Sequence, residues 1–60
     1  MDNPERINKP TPNGGAYSEI WLLDKDGFPA KNRADVTQSK ILEFSSNDEL
    51  IQTTYVVLKP

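Results

Sequence analysis

Sixty residues that include neither cysteine nor histidine have no disulfide and no ordinary zinc site with which to staple a fold. A chain this short also buries a small share of its own surface, which makes folding alone marginal. It is limited to one domain, held either by a compact sheet with good turns or by burial against a second copy or another protein. The missing cysteines also suit a reducing compartment.

The strongest pattern lies between Val36 and Leu58. Two runs rich in β-branched and aromatic residues, Val36–Phe44 and Leu50–Leu58, contain neither proline nor glycine and flank Ser45-Ser46-Asn47-Asp48-Glu49. Such residues fit a pleated surface better than a helix, and neither run has a helical stripe, so a β-hairpin is expected. If Ser46-Asn47-Asp48 is a three-residue loop, Phe44 pairs with Leu50, Leu42 with Gln52, Lys40 with Thr54 and Gln38 with Val56. One face would then carry Val36, Leu42, Phe44, Leu50, Val56 and Leu58, and the other Ile41, Ile51, Tyr55 and Val57. A two-residue Asn47-Asp48 turn slips this register by one and regroups the faces. In both registers each face is partly apolar.

Upstream, residues 1–15 read as an extended arm and residues 16–60 as a single small β domain. Pro4, Pro10 and Pro12 withhold donors and force extended geometry before them, and Asn13-Gly14-Gly15 permits a sharp change of direction. The arm is either a flexible leader or a cover pinned across the sheet by Ile7. Ala16–Leu23 is the next strand, with Tyr17, Glu19, Trp21 and Leu23 on one face by period two. The large apolar residues Ile20–Leu23 suggest burial on both sides. Trp21 is either core or an exposed interface anchor.

Asp24-Lys25-Asp26-Gly27 ends that strand. With Gly27 at the sharp-turn position of a calcium loop, Leu22 and Arg33 would fall on ligand positions, and neither coordinates calcium. The stretch is a turn in which Gly27 supplies positive φ and Asp24 caps its own backbone. Pro29 argues against a central strand in the connection that follows, Ala30–Asp35 has room for about one helical turn, and Phe28 is expected to plug one end of the core. The fold expected is all-β, or β-rich with one short helical turn, as a three- to four-stranded antiparallel meander whose fourth segment comes from Phe28 or from the arm. No internal repeat is evident beyond the polar turns.

Glu5-Arg6-Ile7-Asn8-Lys9-Pro10-Thr11-Pro12-Asn13-Gly14-Gly15-Ala16-Tyr17-Ser18-Glu19, followed by Leu23-Asp24-Lys25-Asp26-Gly27-Phe28-Pro29, resembles the opening of short, uncharacterised bacterial proteins of similar length. Their later half also runs strand, polar turn, strand, ending near a pair such as Thr54-Tyr55. The resemblance implies a single complete domain and no site, since no activity is attached to the group. Those proteins tend to have glycine in the second turn, where this chain has Ser45-Ser46-Asn47-Asp48.

The composition argues against several functions. Without histidine or cysteine, the commonest general base and the best thiol nucleophile are missing, and no base is placed to activate a serine or threonine. A Glu19/Glu43 carboxylate pair on neighbouring strands is conceivable, but so short a chain has little volume for a water-excluding pocket. Gly14-Gly15 precedes a strand and opens no phosphate-binding helix. No enzyme, cofactor or metal site is expected. Seven Lys or Arg against nine Asp or Glu disfavour a dedicated nucleic-acid binder. No apolar run approaches the roughly 20 residues of a membrane span, and the first residues lack the order of a signal peptide, so a soluble cytoplasmic protein is expected.

Two binding readings remain. The favoured one is a protein-interaction module or small regulator, most simply a homodimer joined through a sheet face or edge. Its candidate interface residues are Tyr17, Trp21, Leu23, Ile41, Tyr55 and Val57. The alternative is single-stranded nucleic-acid binding, with Trp21, Tyr17 and Tyr55 stacking on bases and Lys31, Arg33, Lys40 and Lys59 meeting phosphates.

Overall fold

The computed structural model describes residues 3–59; Met1 and Asp2 of the arm, and Pro60, lie outside the described residues. Four strands, β1 (Glu5–Ile7), β2 (Tyr17–Leu23), β3 (Gln38–Phe44) and β4 (Leu50–Val57), form one open antiparallel sheet in the order β1-β2-β3-β4. This is the expected meander. The fourth strand comes from the arm: Ile7 sits in β1, opposite Ser18 of β2. The connection contributes an isolated bridge between Leu23 and Pro29, and its helical turn is a 3-10 turn over Arg33–Asp35.

Three turns share one construction. In Thr11–Gly15, Asp24–Phe28 and Ser45–Glu49 the first residue's N–H donates to the fifth residue's carbonyl, at 3.0, 2.8 and 2.9 Å respectively. The fourth residue's N–H returns to the first residue's carbonyl in each. The fourth residue, Gly14, Gly27 or Asp48, has positive φ, and the first residue's side-chain oxygen accepts the fifth residue's N–H. This is a three-residue hairpin loop, and it needs an oxygen-bearing side chain first and a residue tolerant of left-handed backbone fourth. The chain therefore carries a local structural repeat that its sequence conceals, because Thr, Asp and Ser serve interchangeably as the first residue. Asp48 stands where the other two turns have glycine. Its Oδ1 accepts a 2.6 Å hydrogen bond from the Tyr17 hydroxyl, a tie to β2 that glycine would lack.

The tip of the β3–β4 hairpin follows the three-residue-loop register, with Phe44 opposite Leu50. The rest of the ladder does not. A bulge at Ile51 shifts the pairing by one, so that Glu43 faces Gln52, Leu42 faces Thr53, Lys40 faces Tyr55 and Gln38 faces Val57. Both registers considered from the sequence thus occur, on either side of one extra residue. Without the bulge Ile51 would oppose the buried carboxylate of Glu43; with it the polar Gln52 does. The regrouping places Tyr55 and Val57 on the face of Leu42, Phe44 and Leu50, and sends Val56 to the face of Ile41.

Burial is concentrated at the two ends of the sheet. Near the hairpin tip Gly15, Tyr17 and Glu43 are buried; at the opposite end Leu23, Ala30, Val36 and Ser39 are. The connection wraps that second end: Ala30 N–H bonds the Leu22 carbonyl, Thr37 N–H the Leu23 carbonyl, and Gln38 Nε2 the Asp24 carbonyl. Phe28 does not plug the core. It is 68% exposed, because Asp24 holds its backbone at the outer corner of a turn, and the smaller Ala30 and Val36 are buried at that end instead. Between the two ends Ile20, Trp21, Leu22, Ile41 and Leu42 are only half-buried. Among the described residues no large side chain is fully enclosed.

Candidate interaction surface

The two edges of the sheet are finished differently. Beside β2 the edge is short and blunted: β1 has three residues, Pro4 precedes it, and Asn3 satisfies both polar groups of Leu22, accepting its N–H at 2.9 Å and donating to its carbonyl at 2.7 Å. These are devices that discourage strand addition. β4 has none. Its eight residues, Leu50-Ile51-Gln52-Thr53-Thr54-Tyr55-Val56-Val57, include no charge, no proline and no glycine, and none of them is buried. Leu50 is 56%, Tyr55 65% and Val57 75% exposed.

The six candidate interface residues do not form one patch. Tyr17, Trp21, Leu23, Tyr55 and Val57 share a face by register, and Ile41 points to the other. Tyr17 and Leu23 are buried inside the subunit. The Tyr17 ring stacks on Phe44 with centroids 5.1 Å apart and is covered by the Arg6 guanidinium 3.9 Å from its centre. Its hydroxyl is pushed above the usual 10.0 chiefly because it donates to the Asp48 carboxylate, and secondarily by burial. Trp21 is half-buried, so Tyr55 and Val57 are the two of the six that stand out in solvent. Trp21, Lys40 and Tyr55 lie abreast on three successive strands of that face. Leu50 and Leu58, on an apolar hairpin face in the sequence but outside the six candidates, are also exposed, and the uncharged run from Leu50 to Val57 is the signal that marks this edge.

The opposite face holds a cleft of about 450 Å³ beneath the arm, lined by Ile7, Pro10, Pro12, Ile41, Glu43 and Thr54 among others. Glu43, only 5% exposed, ties the arm down by accepting a 2.8 Å hydrogen bond from Asn13 Nδ2 on Oε2. The amide of Asn13 first and the hydroxyl of Thr11 second hold its pKa below the ordinary 4.5, against the opposing effect of burial. Oε1 is enclosed, and no well-directed hydrogen bond reaches it. Glu19 cannot pair with this carboxylate. It opposes Leu42 while Glu43 opposes Ser18, so the two acids lie on opposite faces. No chemical constellation is built around either.

Among the described residues no group of three or more His, Cys, Asp or Glu could hold a metal ion, and no helix is long and apolar enough to cross a membrane. Comparison with family models, with curated proteins and with solved structures returned no match.

Proposed function

We propose that this chain is a small non-enzymatic interaction module, or regulator, that self-associates through its sheet, acting in a reducing compartment such as the cytoplasm. The observation that carries the reading is β4, a strand paired to β3 on one side, except at the bulged Ile51, that contributes no buried residue to its own subunit. The total surface agrees. At 4392 Å² it exceeds the about 4,000 Å² expected for a compact monomer of 6.8 kDa, and the molecule is only 15 Å deep. A second copy is the favoured occupant because an uncharged edge has no like-charge repulsion with which to reject itself. The contact is small, which puts its dissociation constant at the weak end for specific complexes, on the order of micromolar.

Sedimentation equilibrium of the isolated protein across that concentration range is expected to show the mass rising from one chain towards two. Tyr55→Glu should remain monomeric throughout, since the glutamate faces Lys40 within the subunit but has no partner at the edge. A strictly monomeric wild type would overturn the reading.

A second reading, single-stranded nucleic-acid binding, is supported by the row Trp21, Lys40, Tyr55, which alternates stacking surface with a cation across the sheet. The net charge of −2 opposes it. Labelled single strands titrated at low salt, where phosphate attraction is strongest, discriminate: saturable binding supports this reading, and none removes it.

A further inference from the structure

We infer that two copies join edge to edge by antiparallel pairing of β4 with itself, with the two-fold axis passing through Tyr55, so that the two four-stranded sheets become one continuous sheet. The inference rests on the self-association proposed above and specifies its geometry. Three observations lead to it. Among the described residues the β4 edge is the open one, the other being blunted by the three-residue β1, Pro4 and the Asn3 side chain. An antiparallel pair of identical strands in one sheet is related by an axis normal to the sheet, which keeps each face on its own side. The axis must then pass through a residue, because an axis between two residues would set one face against the other.

The bulge at Ile51 and the end of β4 at Val57 together choose the residue, since centring on Val56 would pair only Tyr55–Val57 of the strand. Centring on Thr54 would oppose Val57 to the irregular Ile51, whereas centring on Tyr55 uses only the regular stretch. It pairs Tyr55 with its own copy, Thr54 with Val56 and Thr53 with Val57. Bulges commonly end a ladder, and here one ends the usable edge. In the joined sheet the row Trp21, Lys40, Tyr55 continues into its copy in reverse order, and Tyr55 and Val57, the two most exposed candidate residues on β4, become covered from the side.

The chain has no cysteine, so a single introduced thiol reports one position. Tyr55→Cys, treated with oxidised glutathione at micromolar protein, is expected to form a disulfide dimer on the order of a hundredfold faster than Phe28→Cys, an equally exposed control outside β4, because apposed thiols share a much higher effective concentration. Directly opposed residues lie within disulfide reach, whereas positions two residues out of register do not. Thr54→Cys and Val56→Cys should therefore each cross-link slowly alone and rapidly when mixed, a pairing that retains Tyr55 in both copies. Self-association by sedimentation without fast cross-linking in either arrangement overturns the edge geometry and leaves self-association standing. Fast homodimer cross-linking of Thr54→Cys alone overturns the Tyr55-centred register. A monomer in the ultracentrifuge removes both.

Discussion

Gly15→Ala is expected to cost about 2–3 kcal/mol, the upper part of the roughly 1–3 kcal/mol for forcing atoms into a packed interior. That is a large fraction of the about 3–9 kcal/mol that a domain of this length has in total. A Cβ on Gly15 would stand 2.5 Å from Thr11 Oγ1, 2.9 Å from the Phe44 carbonyl oxygen and 3.3 Å from Ile51 Cδ1. The first contact is part of a turn that cannot yield freely: Thr11 Oγ1 already accepts the Gly15 N–H at 2.8 Å. The second is backbone at the end of β3, held by the Ala16 N–H at 2.8 Å. Gly14 makes the informative control. It has φ +83° and nothing within 4 Å of a Cβ, so Gly14→Ala should cost about 1 kcal/mol, from the left-handed backbone alone. Thermal and urea unfolding followed by circular dichroism should rank Gly15→Ala well below Gly14→Ala. Equal losses would mean that the arm is not packed against the hairpin tip as described.

That ranking inverts what the sequence suggests about the pair, in which Asn13-Gly14-Gly15 reads as a flexible corner without distinguishing its glycines. The Asp24 turn was legible because every contact that defines it lies within five residues: the Asx cap from Asp24 and the positive φ of Gly27 are local. The single helical turn after Pro29 was legible for the same reason. Asp48 was not, because what ties an aspartate into a left-handed position is the hydroxyl of Tyr17, 31 residues away in sequence. The bulge was hidden as well. One candidate register held for the pair at the tip and the other for the rest of the ladder, and the deciding neighbour of Ile51 is Glu43, whose burial follows from the arm folding over it. Nothing in a run such as Ile41-Leu42-Glu43-Phe44 distinguishes an enclosed carboxylate from a solvated one. For the candidate surface, the period of two correctly grouped the residues within β2 and failed across strands, where one extra residue in β4 exchanged Ile41 for Leu42 as the companion of Tyr55.

Lowering the pH is expected to loosen the arm through Glu43. The folded state holds this carboxyl below its ordinary pKa of 4.5, so the folded state binds its proton less readily than the unfolded chain does. The stabilisation it supplies is therefore fully present above about pH 4.5 and is lost as the pH falls through the depressed folded value. Wild-type unfolding midpoints should drop across that acid window more steeply than those of Glu43→Gln, which keeps an acceptor for Asn13 and has no charge to titrate. A difference between the two that stayed constant from neutral pH down through that window would mean that the ionised carboxylate contributes nothing. Glu43→Leu goes further, leaving the Asn13 amide without its partner, and should increase hydrogen exchange at the Gly14 and Gly15 amides before the strands themselves open. The same change bears on assembly. The arm lies over the face of Ile41, whereas the apolar residues of β4 stand uncovered. If that cover is what keeps association to one edge, Glu43→Leu should add species larger than two chains in the sedimentation experiment while Glu43→Gln should not. Larger species in neither variant would show that the arm contributes to stability without directing assembly.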